Sequence, residues 1–405
     1  MNDFDVMIAG GGSAGVAAAL AAARKGARTL LIERQIKLGG MGTNALVHTF
    51  CGLFHPDVSR GPKWLNPGIP TEIGKALLEM TGQSAPDLMG RVFVLRHHPS
   101  MFAALSKQLC DAEKNLTVWT GAELLSLQGI AEGWQFTAHT PDGLLKGTSA
   151  SAVDTTGDAL LARLLGSEHW NTAPADKLYR PAFVCCFTGV TGDLGDETRL
   201  QLAASLVCSV REGKLPLTAL GATFRQAPTD DGDVFMTIDM PAGGEAWDPL
   251  DVSKRQRLEN EGAELASRIW RVLRAQHPLF ANSDEAVMPT HAGIRESARW
   301  IGDHVLTATE LISSTRFEKE AALAGWPLEM REDARGPKFI YFDKPEPAGI
   351  PLDSLRSHRV PGMFFAGRCA SCDHEALASV RVMGTCLATG QAAGGLAAAH
   401  ARASR

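Results

Sequence analysis

Asp5-Val6-Met7-Ile8-Ala9-Gly10-Gly11-Gly12-Ser13-Ala14-Gly15, followed by an alanine-rich stretch to Lys25-Gly26 and by Leu30-Leu31-Ile32-Glu33, decides how this chain begins to fold. The apolar run reads as a strand, the glycines as a turn, the alanines as a helix, and Leu30 to Ile32 as a second strand ending in an acid. Each glycine has its own task in such a turn. Gly10 permits the tight bend, Gly12 lets backbone N–H groups approach a pyrophosphate at the helix N-terminus, and Gly15 lets the helix lie close on the sheet. Glu33 follows Gly10 by 23 positions, where a strand-end carboxylate accepts hydrogen bonds from both ribose hydroxyls and repels a 2′-phosphate. A dinucleotide is therefore expected, and NADP is disfavoured. A signal peptide or membrane span does not fit the same stretch, because its start is acidic (Asp3, Asp5) and Gly10 to Ser13 and Arg24-Lys25 interrupt it.

At 405 residues the chain exceeds the size at which one core keeps growing, so two lobes are expected. Forty basic and 45 acidic side chains give a formal charge of −5 with no basic block, so nucleic acid is not an expected partner. No long apolar run free of charge or glycine appears, and the Ala/Gly-rich segment from Leu387 to His400 reads as a packed helix; a soluble, cytoplasmic protein without a membrane span is expected. Eight cysteines sit mostly inside apolar segments, which is core usage rather than a disulfide framework. Cys369 and Cys372 have redox-pair spacing, which leaves a thiol shuttle open beside core usage; with no second paired set, no metal is expected.

Along the chain, Gly39 to Asn44 is a run of small residues able to pass under a flat ligand, and the Pro/Gly-rich segment from Gly52 to Pro70 reads as a loop covering the site. A helix from about Pro99 to Lys114 and a strand Leu116 to Trp119 follow. Leu124 to Leu127, Gly133 to His139 and Leu144 to Ala150 form a β-meander. Ser151 to Asp158 then returns to the sheet. The composition shifts near Gly166; β-like segments at Tyr179 to Val190 and Asp233 to Met240 alternate with a helix Glu197 to Arg211 and a long amphipathic helix from about Pro249 to Gln276, striped by Leu258, Leu265, Ile269, Val272 and Leu273. From Gly349 the chain turns back through Met363-Phe364-Phe365-Ala366 to a closing helix from about Gly384 to Ala401.

Read from both ends, the chain resembles the FAD-dependent oxidoreductase family of two-dinucleotide-fold flavoproteins, whose FAD domain is like that of glutathione reductase. The resemblance rests on the N-terminal turn, on Gly293-Ile294-Arg295-Glu296-Ser297-Ala298-Arg299, and on the segment from Ala366-Gly367-Arg368-Cys369 through His374-Glu375-Ala376 and Arg381-Val382-Met383-Gly384-Thr385 to Gly390-Gln391-Ala392-Ala393-Gly394. It implies FAD as cofactor. By position Gly10, Gly12, Ser13, Ala14, Gly15, Glu33, Arg34, Gly40, Met41, Gly42 and Thr43 fall on pyrophosphate, ribose and flavin-approach elements, and Ala122 on the adenine contact. Thr156, Gly157 and Asp158 resemble a strand-end motif beside the cofactor; Gly367, Arg368, Met383, Gly384 and Thr385 belong to a second FAD motif whose helix aims its N-terminus at the flavin. Cys372 and Leu352-Asp353 depart from the family pattern.

The resulting expectation is an α/β fold: a Rossmann-like FAD-binding domain with a central parallel sheet and β-meander, built from residues 1–168 and 346–405, with a smaller α+β substrate domain over 169–345 inserted. The expected activity is hydride transfer between a small organic substrate and flavin N5, as dehydrogenase or oxidase. Candidate catalytic groups are His374 with Glu375 as a base and its carboxylate neighbour, and Arg295 and Arg381 as holders of a substrate carboxylate or the flavin edge. Against these stand plain anchoring by His374 and Glu375 and a structural ion pair of Arg295. His48 reads as a polar contact, and His97-His98 as capping or surface residues. A single nucleotide fingerprint leaves the second electron partner to oxygen, a quinone or a carrier protein. The alternatives are a flavin monooxygenase or halogenase, which the lack of a Trp-x-Trp pair and the Thr155-Thr156-Gly157-Asp158 sequence do not favour, and a non-catalytic flavin-binding partner protein.

Overall fold

Val6 to Ala9 and Leu30 to Ile32 are buried without alternation, as strands of a parallel sheet covered on both faces are. In the computed structural model, which describes residues 2–229, 232–241, 247–333 and 336–404, the strand Asn2–Ala9 runs parallel to Thr29–Glu33 and to Gly143–Asp154, with Ala9 level with Ile32 and Asp154. Leu116–Thr120 extends the parallel set beyond Thr29–Glu33. The strand Gly143–Asp154 serves two partners on its far edge. Its first part pairs antiparallel with Gly133–Thr140, which pairs with Glu123–Ile130, and its last three residues hold Met363–Phe365 in parallel. In the meander burial alternates: Trp134, Phe136, Ala138 and Thr140 are covered while their neighbours are not.

The helix Ser13–Arg24 lies under this sheet against the closing helix Met383–Ala403. The two meet backbone to backbone. A Cβ built on Gly390 or Gly394 would stand 2.1 Å from the carbonyl oxygen of Ala14 or Ala18, so glycine is required at both places.

A second core gathers apolar side chains from residues 173–294. Its three-stranded antiparallel sheet, in the order Ala182–Phe187, Val234–Asp239, Ala222–Gln226, carries the helices Asp196–Arg211 and Val252–Gln276. Leu258, Leu265, Ile269 and Leu273 of the long helix are buried in it as their spacing requires, with Val272 at its margin. An undivided substrate domain over 169–345 is not how the apolar side chains sort. From Arg299 onward the chain leaves the second core: Trp300 stacks on Phe365 at 4.9 Å, and Leu306, Leu311, Ala324 and Leu328 pack with Ile350, Leu377 and Ala388. The loop from Gly52 to Pro70 also departs from expectation. It packs on the closing helix, where Gln391 Oε1 accepts the Ile69 N–H (2.6 Å), and contributes nothing to the wall of the cavity lined by Ser13 and Met383. Among the described residues no helix is long and apolar enough to cross a membrane.

Candidate functional site

The two long helices Ser13–Arg24 and Met383–Ala403 share a feature that the helices capped by His98, Asp251 and Asp373 lack. Neither has a side-chain cap nor an acid in its first turn. Their N-terminal residues Ser13 and Met383 line one cavity of about 510 Å³, so the partial positive charge of two helix ends is left for a ligand. The glycine turn shapes the wall. Gly10 has a φ of +95°, and a Cβ there would meet the Thr155 carbonyl at 2.7 Å; a Cβ on Gly15 would stand 1.7 Å from the Gly10 oxygen. Gly12, by contrast, faces open space, its nearest neighbour being Gly40 Cα at 3.9 Å from a built Cβ. Glu33 ends its strand at the cavity edge, accepting the N–H of Gly11 (2.5 Å) and of Gln35 (2.7 Å). Burial raises its pKa, and those backbone bonds oppose the rise.

The opposite wall is the strand-end turn after Asp154. That carboxylate is fully buried and organises the turn, accepting from Thr156 Oγ1 (2.7 Å), the Leu161 N–H (2.8 Å) and Trp300 Nε1 (2.9 Å). Gly157, at φ +81°, lets Arg368 cross over it; a Cβ there would lie 2.4 Å from Arg368 Nη2, which donates to the Gly157 carbonyl (3.1 Å). Asp158 joins the two lobes through Arg255 of the long helix (2.8 Å) and accepts from Ser297 Oγ (2.7 Å). Burial works against its ionisation, yet the charges of Arg255 and Arg368 hold its pKa down at about 2. Glu259 from the same helix accepts the Ala292 N–H (2.9 Å). Neighbouring His291 is kept neutral, burial lowering its pKa to about 4 with Arg34, Arg368 and Arg255 adding to the effect.

Of the residues expected on the cofactor, Gly10, Gly12, Ser13, Ala14, Glu33, Arg34, Gly40, Met41, Ala122, Thr156, Gly157, Asp158, Gly367, Arg368 and Met383 line this cavity. Gly15, Gly42, Thr43, Gly384 and Thr385 are not part of its wall. Gly42 sits under Phe102 and Met383, Gly384 lies against the Cys51 carbonyl, and Thr43 Oγ1 donates to the Gly40 oxygen (3.2 Å). Arg255, Glu259, Thr290, His291 and Ile294 complete the wall from the second lobe; the amphipathic stripe of the long helix gave no sign of this, because it reports only the buried face.

The catalytic candidates separate. His374 and Glu375 open the helix His374–Val380, where consecutive side chains diverge. Glu375 is exposed, and neither residue reaches the cavity. The carboxylate partner of His374 is instead Glu296, 2.8 Å from Nδ1, which also pairs with Arg299 (2.5 Å). Burial pulls the His374 pKa down, but Glu296 more than reverses this, for a net rise. The His374 ring stacks on Tyr179 at 4.4 Å, and Arg381 lies over the same Tyr179 ring at 5.6 Å. Arg295 is held by the Arg180 carbonyl and by Asp239 (2.7 Å), away from the cavity wall. Arg381 alone of the four lines the cavity.

Cys369 is buried and accepts the Gly157 N–H (3.0 Å); burial, then the Asp154 charge, push its thiol well up. Burial likewise raises Cys372 to about 12. Both shifts disfavour a thiolate near neutral pH, which weighs against the thiol shuttle. His48 is buried against Phe235 at 4.5 Å, and burial lowers its pKa to about 3. His98 caps the helix Pro99–Asp111; its Nε2 lies 3.1 Å from an Asp233 oxygen, and ligand atoms of His98, Asp233 and Cys186 lie within 4.8 Å of one another.

Two uncapped helix ends, a Cβ-free approach at Gly12 and a ribose-seeking Glu33 around one cavity define a dinucleotide-binding flavoprotein, and the residues present fit FAD. The chain belongs to the FAD dependent oxidoreductase family, whose model matches residues 5–405. Among solved structures it is similar to a geranylgeranyl bacteriochlorophyll reductase-like protein from Thermoplasma acidophilum, at 14% identity and a TM-score of 0.48 over 100% of this chain and 80% of that one. It is also similar to p-nitrophenol 4-monooxygenase from Pseudomonas putida DLL-E4 (10% identity, TM-score 0.41, 75% and 71% covered). A third likeness is to a myxobacterial chondrochloren halogenase (12% identity, TM-score 0.42, 95% and 72% covered).

Proposed function

We propose that this flavoenzyme acts as a dehydrogenase or oxidase, moving a hydride between a small organic substrate and FAD where the nucleotide fold meets the second lobe. The observation that carries the reading is the position of Arg381. It lines the cofactor cavity and also belongs to a charged cluster, Arg295–Asp239–Arg331–Glu329, assembled from the second lobe and the segment beyond it. FAD, when bound, supplies the two-electron chemistry. Gly12, Ser13 and Glu33 would hold its pyrophosphate and ribose, and the N-terminus of Met383–Ala403 would stabilise negative charge on its ring. His374 is a positioning residue in this scheme, fixing Tyr179 and through it Arg381.

The test is anaerobic mixing of the FAD-loaded protein with fractionated metabolite pools, followed by loss of the flavin's visible absorbance. Bleaching by a pool component, with hydrogen peroxide formed on admitting air, supports an oxidase; bleaching that needs a quinone or carrier protein for reversal supports a dehydrogenase. Incorporation of an oxygen atom into product would instead support a monooxygenase and overturn the reading. A flavin that no pool and no photoreduction bleaches supports a non-catalytic flavin-binding role.

A further inference from the structure

His98, Cys186 and Asp233 reach one point from both lobes. His98 stands before the helix Pro99–Asp111 of the nucleotide fold, Cys186 lies in the strand Ala182–Phe187, and Asp233 leads into the strand Val234–Asp239 of the second lobe. The strand pairing explains the meeting. Cys186 is level with Phe235, so these two side chains share a face of the sheet. The Ala227 N–H donates to the Asp233 carbonyl (2.8 Å), which carries the pairing back to Asp233, two residues before Phe235 and on that same face. The His98 ring comes down on this face from the other lobe, its centroid 5.5 Å from that of Phe235. One ligand atom from each of the three side chains lies within 4.8 Å of the other two, and His98 Nε2 is 3.1 Å from an Asp233 oxygen. Around a tetrahedral zinc ion, bound at about 2.0 Å by nitrogen or oxygen and about 2.3 Å by sulfur, neighbouring ligand atoms stand roughly 3.3–3.6 Å apart. The spacing found here converts to that one by small side-chain rotations.

Imidazole, thiolate and carboxylate together suit a borderline-soft ion, whereas magnesium and calcium take oxygen ligands. We propose that His98, Cys186 and Asp233 bind a divalent ion of the zinc class, outside the cofactor cavity, and that this ion fastens the second lobe to the nucleotide fold. On binding, the Cys186 thiol gives its proton to solvent and no electron moves. With the ion on Nε2 of His98, Nδ1 carries the ring proton and donates to Ser100 Oγ, 2.6 Å away, which orients the ring; the longer contact from the Ser100 N–H (3.3 Å) is given up. The side chains of His98 and Asp233 are 20% and 14% exposed, so an ion can enter from solvent and keep a water as its fourth ligand. Phe102, in the first turn of the helix that His98 precedes, lies under Gly39 and Gly42, where a built Cβ would meet its ring at 3.0 and 2.8 Å. The ion thereby braces the support beneath Gly40 and Met41 of the cofactor cavity. Positions 98, 186 and 233 have no ligand-motif spacing, so the sequence alone gives no sign of a metal.

The test uses the FAD-loaded, tag-free protein after dialysis against a chelator. Cobalt(II) is the probe, because its ligand-field bands in a tetrahedral site lie at longer wavelength than flavin absorption, and zinc then competes for the site. One cobalt per chain is expected, displaced by zinc and not by excess magnesium, and zinc should raise the Tm. Cys186→Ser, His98→Gln and Asp233→Asn are each expected to raise the zinc Kd at least ten-fold and to abolish the Tm rise. Cys208→Ser, which removes an exposed thiol away from the three, should change neither. Acid-released FAD is measured on every variant, and a variant that keeps its FAD is folded, so its lost binding reports a lost ligand. X-ray absorption of zinc-loaded wild type needs no variant and should show one sulfur among nitrogen and oxygen ligands. No tetrahedral cobalt spectrum, a zinc shell without sulfur, binding that survives Cys186→Ser or His98→Gln, or binding lost in Cys208→Ser overturns the proposal and leaves His98 and Asp233 as an ion pair. None of these outcomes bears on the flavoenzyme reading, which stands or falls on flavin bleaching.

Discussion

Glu33 shows how one side chain serves both fold and ligand. Its two oxygens already accept the N–H groups of Gly11 and Gln35, and each keeps a further lone pair for a ribose hydroxyl. Glu33→Arg removes the acceptors, strands two backbone donors and puts a cation at the cavity edge. FAD affinity should fall at least ten-fold, as read by titrating apo-protein with FAD and following flavin fluorescence; unchanged affinity would remove the ribose assignment. Cys372 is the opposite case. Its thiol is 2% exposed and pushed up by burial, and what the structure uses is its carbonyl, which accepts from Arg299 Nε (3.1 Å). Cys372→Ser should therefore leave FAD content and turnover within about two-fold of wild type, because a backbone acceptor survives a side-chain change. Loss of turnover with FAD retained would restore the thiol-shuttle reading.

Among the elements, the pair of helices beneath the sheet carries the greatest constraint. Gly390 and Gly394 are one turn apart on the closing helix and meet Ala14 and Ala18, one turn apart on the first. This contact sets both uncapped N-termini at the same cavity. Gly394→Ala forces a methyl to within 2.1 Å of the Ala18 oxygen and should destabilise the protein by about 1–3 kcal/mol through overpacking. Gly395→Ala is the matched control. There a Cβ meets only the flexible end of Lys25, at 3.3 Å, and the better helix propensity of alanine should make the change neutral or stabilising by up to about 1 kcal/mol. Urea midpoints of the two FAD-loaded variants decide the matter, and equal midpoints would contradict the backbone-contact account. The glycine and alanine spacing of both helices is visible in the sequence, but which glycine faces the partner helix is not.

For the molecule as a whole, the junction between the lobes rests on Asp158, which belongs to the nucleotide fold and is answered by Arg255 of the second lobe. Its carboxylate is 12% exposed, and its pKa lies at about 2 against an ordinary 3.8. A pKa lowered on folding adds stability above the unfolded value and loses it as pH falls through the folded one. The gap in unfolding free energy between wild type and Asp158→Asn should therefore be about 2 kcal/mol above pH 3.8 and close as pH falls through about 2. Denaturation series across that range measure it; a gap independent of pH would show that Asp158 contributes by shape rather than charge.

The sequence determined what is local. The strand, glycine turn, helix and acid from Asn2 to Glu33 lie within one short stretch, and the backbone demands of that turn leave glycine as the suitable residue, so the cofactor class was legible before any folding was considered. The long-range ion pairs beyond that stretch were not. Asp239 meets Arg295 across 56 positions and Arg331 across 92, and His374 meets Glu296 across 78. Neighbours in sequence made His374 and Glu375 look like a pair, but on a helix they diverge. Ion pairs form wherever the packed chain brings charges into low dielectric, and only the tertiary structure decided which acid would answer each arginine.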